Sequence, residues 1–68
     1  MEKFALAGEY IELNKLLKAA GLCDTGGAAK CAIENGRVTV DGAVEYRRGR
    51  KIRHGQKVGY DHHLIEIA

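Results

Sequence analysis

The chain has 68 residues, of which 46% are hydrophobic and 29% are charged, and its formal net charge is +2. These values predict a single globular domain over residues 1–68. We expect it not to be an enzyme and to have no small-molecule substrate. A domain of this length buries only about 60% of its unfolded surface and leaves little core for a water-excluding active site. No apolar run is long enough for a signal peptide or a membrane span, so we expect a cytoplasmic protein with no membrane partner.

The first part of the chain predicts a short strand followed by a helix. Lys3–Ala7 is short and mostly apolar, and we interpret it as a strand. Apolar side chains then recur at the spacing of one helix face, namely Leu13, Leu16, Leu17 and Ala20. We therefore predict a first helix from Ile11 to Ala20, ended by Gly21, which can adopt the positive φ of a residue just past a helix end.

A second helix is predicted after this glycine. Its N-cap is Asp24 or Thr25, because either side chain can accept a hydrogen bond from an early backbone N–H. Asn35-Gly36 ends this helix. The residues of its buried face are small or apolar and let the two helices approach closely: Ala29, Ala32 and Ile33.

The second half of the chain predicts two β-hairpins. Residues 38–40 and 44–46 alternate on either side of Asp41-Gly42, a strong signal for a tight hairpin turn. Residues 58–60 and 65–67 alternate in the same way around a turn at 61–63. The predicted fold class is α+β, with two helices packed on a small, mostly antiparallel sheet and the element order β-α-α-β-β-β-β.

Positive charge is concentrated in residues 45–57, which read EYRRGRKIRHGQK. No acidic residue follows Glu45 until Asp61, and six cations lie between them, namely Arg47, Arg48, Arg50, Lys51, Arg53 and Lys57. The planar fork of arginine suits bidentate contact with phosphate oxygens, and Gly49 lets the backbone come close to a bound surface. Because a local field of this kind attracts polyanions, we interpret the segment as part of an anion-binding face.

The start of the second helix is the other part of the predicted face. Unpaired N–H groups and the helix dipole favour an anion there, and Gly26 and Gly27 have no side chains that would block a phosphate. We expect the basic segment to adjoin this helix start and to bind nucleic acid, with RNA and DNA both open on composition. The candidate binding residues are Thr25, Gly26, Gly27, Lys30 and Arg37 on one side and Arg47, Arg48, Arg50, Lys51 and Arg53 on the other, with Lys15 and Lys18 as secondary candidates.

Tyr46 has two interpretations. Its ring could stack on a nucleobase, but a tyrosine in a strand is more often part of a half-buried core. We favour the core interpretation.

Residues 11–60 resemble the S-four domain, the αL RNA-binding motif that also occurs in a small-subunit ribosomal protein. The pattern is a leucine-rich helix ending in Gly, a Ser or Thr that opens a second helix, a Val-x-Val-Asp-Gly turn and a basic stretch before an apolar residue. The matching positions are Leu13, Leu16, Leu17, Gly21, Thr25, Ala29, Ile33, Gly36, Val38, Val40, Asp41, Gly42, Ile52, Gly55 and Val58. The chain looks most like the stand-alone bacterial YbcJ-like members.

The resemblance implies a non-catalytic, ribosome-associated bacterial protein that binds structured RNA, with ribosomal RNA as the expected class and no cofactor. We expect it to be a monomer. Gly26 stands where the family commonly has an arginine that contacts RNA, so Lys30 takes that role or the contact is absent. Gly55-Gln56 replaces the family's Gly-Asp turn, with little expected effect on binding.

The residues also suggest three other classes of function. A DNA-binding helix-turn-helix is disfavoured because the start of the second helix has few side chains that could reach base edges. A metalloprotein or enzyme is disfavoured because the chain has no serine, and its cysteines and histidines match no zinc spacing: Cys23, Cys31, His54, His62 and His63. We expect both cysteines to be reduced and partly buried. A module that binds an acidic protein partner stays open.

Overall fold

The computed structural model describes residues 1–68, which form seven short strands and two helices. The strands and helices in chain order are β1 (Glu2–Phe4), β2 (Tyr10–Glu12), α1 (Leu13–Ala19), α2 (Gly26–Glu34), β3 (Val38–Val40), β4 (Ala43–Val44), β5 (Lys51–Arg53), β6 (Lys57–Tyr60) and β7 (His63–Ile67). None of the helices is long and apolar enough to cross a membrane.

The strands form two sheets. Five of them lie in the order β1-β7-β6-β3-β4, and every neighbouring pair is antiparallel except β1 and β7, which are parallel. The other two, β2 and β5, pair only with each other. The predicted fold class, two helices with a mostly antiparallel sheet, is confirmed.

The predicted element order was wrong in one respect, because it lacked both strands of the small sheet. β2 has the sequence YIE and β5 has the sequence KIR, so each contains a single aliphatic residue. Two alternations of polar and apolar residues are too few to show a strand period in the sequence. The first strand also lies earlier than predicted, at Glu2–Phe4 instead of Lys3–Ala7.

Glycine ends both helices as predicted. Gly21 has φ +78°, and the N–H groups of Gly21 and Leu22 donate to the carbonyls of Lys18 and Leu17. Gly36 has φ +75°, and an equivalent pair of bonds closes α2. This double bond pattern satisfies carbonyls that a helix end leaves without partners. The start of α1 was predicted two residues too early, because Ile11 belongs to β2.

The first turn of α2 is capped by Thr25, the second of the two predicted candidates. Its hydroxyl oxygen accepts a hydrogen bond from the Ala28 N–H at 3.0 Å. Asp24 lies one residue too early for this contact.

The core lies between the helices and the two sheets. Its thirteen buried residues include alternate residues of the strands and the predicted faces of both helices except Ala20, which is only partly buried: Leu13, Leu16, Leu17, Cys23, Ala29, Ala32, Ile33, Val38, Val40, Ile52, Val58, Ile65 and Ile67. Both cysteines are free; Cys23 is buried and Cys31 is exposed, so the expectation that both are partly buried was wrong.

Both predicted hairpin turns are present. Asp41 and Gly42 have φ values of 52° and 86°, as a tight turn with two left-handed residues requires. The return strand β4 ends at Val44, earlier than predicted, and the next residue, Glu45, is only 8% exposed. The final hairpin turns at Asp61 and His62.

Candidate nucleic-acid interface

The basic arm, residues 47–53, is fixed to the start of α1 by its backbone. The N–H of Leu13 donates to the carbonyl of Arg50 at 2.9 Å, and the N–H of Asn14 donates to the carbonyl of Arg48 at 3.0 Å. Glu12, the N-cap residue of α1, makes no side-chain capping bond. The arm therefore satisfies two of the N–H groups that a helix start leaves without partners.

The end of the arm is strand β5, which has one face in the core and the other in solvent. Ile52 is fully buried opposite Ile11 and anchors the arm to the core. On the outer face, Lys51 Nζ and Arg53 Cζ lie 5.0 and 5.7 Å from the centre of the Tyr10 ring. Both cations of β5 thus face solvent beside an aromatic ring that is itself 45% exposed.

The Glu45 carboxylate binds two arginines of the arm, Arg47 and Arg50. Its side chain is only 10% exposed, and Oε1 accepts a hydrogen bond from Arg50 Nη1 at 2.6 Å. Oε2 accepts from Arg47 twice, from Nε at 3.2 Å and from the backbone N–H at 3.1 Å. The bonds from Arg50 and Arg47 lower the pKa of Glu45 to about 2, so it is ionised at neutral pH.

A surface concavity of about 390 Å³ lies beside the two arginines that this carboxylate binds. It is lined by Arg47, Gly49, Arg50 and Lys51, and none of these residues is hydrophobic. A Cβ at Gly49 would lie 3.8 Å from Glu12 Oε2, so the Glu12 carboxylate lies beside the concavity. Three cations around one concave surface form a site that suits an anion with several oxygens, such as a phosphate.

The start of α2 exposes its backbone, as its sequence predicts, but the arm is not bonded to it. No atom comes within 4 Å of a Cβ built at Gly26, and only Thr25 Oγ1, at 3.9 Å, comes near one at Gly27. No hydrogen bond or ion pair connects the arm with these residues. The arm's backbone bonds go to α1 instead, which the sequence analysis did not foresee.

Arg37 lies at the opposite end of α2 from Thr25, so the structure does not bring these two candidates together. The nine-residue helix between them is about 13 Å long. Arg37 Nη2 donates to Asp61 Oδ1 at 2.9 Å, and its guanidinium lies 5.3 Å from the centre of the Tyr60 ring. The bond to Asp61 raises the pKa of Arg37.

The candidate lysines are all exposed. Lys30 lies on α2 and forms no ion pair, so the i, i+4 pair with Glu34 that its spacing suggests is not formed. Lys15 contacts Glu12 at 3.2 Å, and Lys18 lies in the last turn of α1.

Tyr46 lies on the surface, so its interpretation as half-buried core was wrong. It is 62% exposed. Its ring lies over Gly36, where a Cβ would come within 3.2 Å of Tyr46 Cε1. Because Gly36 has no side chain, the Tyr46 ring can pack against its backbone.

Two residues of the candidate site, Glu45 and Tyr10, were not predicted from the sequence. The signal for Glu45 was present: it is a lone carboxylate followed at i+2 and i+5 by arginines. Tyr10 had no such signal, because its role depends on the pairing of β2 with β5, two segments that are separated by 38 intervening residues.

The histidines and cysteines do not converge. No group of three or more His, Cys, Asp or Glu side chains could hold a metal ion. His54 lies 2.8 Å from the carbonyl oxygen of Gly8 and 3.0 Å from that of Ala68. His63 lies 2.6 Å from Glu2 Oε2. These side chains connect segments of the chain to one another.

Comparison with known proteins places this geometry in a family. The family model of the S4 domain matches residues 4–68. Two curated relatives, "Putative RNA-binding protein YbcJ" of Escherichia coli K12 and "Uncharacterized protein YbcJ" of Shigella flexneri, are each 45% identical over 59 residues, which is 87% of this chain and 84% of theirs. The solution structure of Escherichia coli YbcJ, described as having an αL motif involved in RNA-binding, is 42% identical with a TM-score of 0.77, over 100% of this chain and 87% of that one. The chain therefore belongs to the S4 domain family.

Proposed function

We propose that this protein binds structured RNA without catalysing a reaction, and that it does so mainly through contacts with phosphate oxygens. The observation that carries the proposal is the basic arm, whose backbone is bonded to α1 and whose arginines are held by Glu45. The names of its Escherichia coli relatives, which refer to RNA binding, support the same conclusion.

Groove geometry explains why a protein of this size would use phosphates. The major groove of an RNA duplex is deep and narrow and hides the base edges, so small proteins recognise backbone shape and adjoining loops. We propose that the arm supplies the main phosphate contacts, from Arg47, Arg48, Arg50, Lys51 and Arg53. Further contacts come from Lys30 and from the start of α2, at Thr25, Gly26 and Gly27.

The other candidate residues have lesser parts in this proposal. Arg37 can reach a phosphate only if it leaves Asp61 or shares its remaining N–H groups. Lys15 and Lys18 add positive charge at the edge of the face.

We further propose that the protein acts as a monomer in the cytoplasm and that its RNA is ribosomal. Sequencing of RNA crosslinked to the tagged protein in a bacterial host tests the last point, and recovery of no ribosomal RNA above background would contradict it.

A fluorescence titration tests RNA binding itself. A structured RNA hairpin and a DNA duplex of equal length are each titrated with the protein at several salt concentrations. We expect the RNA to bind more tightly, with log K falling against log salt at a slope of about −2 to −5, as about three to six neutralised phosphates would give. Equal and weak binding of both would contradict the proposal and direct the search to DNA or to acidic proteins.

A further inference from the structure

We propose that Glu45 is a positioning residue for RNA binding: its buried carboxylate holds Arg47 and Arg50 so that their free N–H groups face one phosphate in the concavity. This inference rests on the proposed function. Glu45, an acidic residue, would then strengthen the binding of a polyanion.

On charge alone, Glu45 would weaken the binding of RNA. A carboxylate beneath a phosphate site repels the phosphate and cancels part of the arm's positive field. Glu45 is also the only buried polar or charged residue of the chain. Burial of a charge is costly unless it is paired and hydrogen-bonded, and Glu45 meets that condition only through the arm. Its place in the fold therefore depends on the arginines, and the geometry of the arginines depends on it.

The division of hydrogen bonds leaves the arginines able to bind a second anion. A guanidinium has five N–H donors. Arg47 uses Nε on Glu45, which leaves both of its terminal nitrogens free, and Arg50 uses only Nη1. The two side chains line the same concavity, together with Gly49 and Lys51. Each arginine can thus contact Glu45 on one edge and a phosphate on another.

Restricting the arginines in advance favours binding. Long side chains lose rotamer freedom when they are immobilised at an interface, and this loss weakens the complex. Arg47 and Arg50 are already restricted by Glu45, whereas Arg48 has a bonded backbone carbonyl but no side-chain partner. The neighbouring arginines 47 and 48 therefore form a natural comparison of a held and an unheld cation.

A matched pair of substitutions tests the proposal. Glu45→Gln and Glu12→Gln each remove one negative charge beside the concavity, but Glu12 is bonded only to Lys15 and holds no arginine. The probe is the structured RNA hairpin at 0.15 M salt. We expect Glu12→Gln to bind as tightly as the wild type or more tightly, and Glu45→Gln to bind about fivefold more weakly, the effect of about one lost phosphate contact at this salt.

A second experiment separates positioning from a general structural effect. In a protein that already carries Arg47→Ala and Arg50→Ala, Glu45→Gln should cause no further loss of affinity, because Glu45 acts through those two side chains. An equal loss in both backgrounds would overturn the proposal. So would Glu45→Gln binding as tightly as Glu12→Gln. If the wild type itself does not prefer RNA, the proposed function fails, a result distinct from these.

Exposed residues provide a test that does not depend on the folding of the Glu45 variant. Arg47→Gln and Arg48→Gln remove the same charge from adjacent positions. The first should weaken RNA binding at least threefold more than the second, because about one phosphate contact depends on the held geometry. Equal losses would overturn the proposal. Circular dichroism melts of every variant establish that each is folded at the temperature of the titration.

Discussion

Two arginine–carboxylate contacts in this molecule have the same chemistry and different surroundings. The Glu45 side chain is 10% exposed and is bonded to Arg47 and Arg50, which are close to it in sequence. Asp61 is 45% exposed and is bonded to Arg37, 24 residues away, at 2.9 Å. The first contact sets the conformation of a chain segment, whereas the second joins two elements that the sheet already holds together through β3 and β6.

Burial explains the difference. Exposed ion pairs contribute little to stability, because water screens them and the side chains lose rotamer freedom. A buried carboxylate must keep its partners, since leaving it unpaired in the protein interior is costly. The Glu45 contact therefore constrains the arm, while the Arg37 contact can be exchanged for solvent or for another anion.

Truncation of the core should have the largest effect and should not distinguish the two regions. Leu16 and Ile33 are fully buried between the helices and sheets. Replacing either by Ala should lower the free energy of unfolding by about 2–5 kcal/mol, because it removes buried methyl groups and leaves a cavity. Chemical denaturation measures the loss, with Cys31→Ala at an exposed position as the control. A loss no larger than that of the control would mean that the helix faces are assigned wrongly.

Removal of the arm's arginines should have the largest effect on RNA binding. Arg47, Arg48 and Arg50 replaced together by Ala should weaken binding of the hairpin at least about 25-fold at 0.15 M salt, at about fivefold for each of the two arginines held by Glu45 and a smaller loss for Arg48. The domain should remain folded, although Glu45 then lacks its partners; adding Glu45→Gln restores a neutral interior. Arg37→Ala is the comparison and should cost no more than about fivefold. An unchanged affinity in the triple variant would exclude the arm as the binding surface.

Acid should weaken the domain through Glu45. The pKa of this residue is about 2 in the folded protein against an ordinary value of 4.5. The stability that its ionised form contributes is fully present above the ordinary value and is lost as the pH falls towards 2. Asp41, whose pKa is lowered by hydrogen bonds from Lys57 and Gln56, acts in the same direction.

Urea denaturation from about pH 6 to about pH 3 measures this dependence. Glu45→Gln should be less stable than the wild type at the upper end and should lose less stability as the pH falls. If both proteins lose the same stability as the pH falls, other carboxylates cause the loss. The Asp41→Asn variant measures how much of the loss is due to Asp41.

The Arg37–Asp61 contact should have the smallest effect. Asp61→Asn should leave chemical stability unchanged within the error of the measurement, because both side chains are about half exposed. It should raise RNA affinity slightly, since it removes a negative charge and frees a cation. If Asp61→Asn lost more stability than Glu45→Gln, the exposed contact would matter more than the buried one, contrary to the argument from burial.

Local sequence signals predicted most of the fold. Gly21 and Gly36 fix the helix ends, Thr25 caps α2 and Asp41-Gly42 forms a hairpin turn, because each of these features depends on a few adjacent residues. The strands β2 and β5 could not be found in this way. Each is three residues long, and their pairing is a long-range contact between single isoleucines, Ile11 and Ile52.

The candidate site was predicted in part for the same reason. The positive charge of the arm is evident in the sequence, and the structure gathers Arg47, Arg50 and Lys51 around one concavity. The sequence does not show that the arm docks on α1, because backbone carbonyls make those bonds and carry no side-chain signal.

The capping of α1 by the carbonyls of Arg48 and Arg50 has a consequence for how this scaffold can change. Main-chain oxygens are the same in every residue, so the docking of the arm imposes little restriction on the side chains at these positions. A library of substitutions at Arg48, Lys51 and Arg53 would alter the chemistry presented to a ligand while the backbone kept its path. The arm thus resembles the recognition loops of binding scaffolds, in which a fixed main chain carries exchangeable contacts.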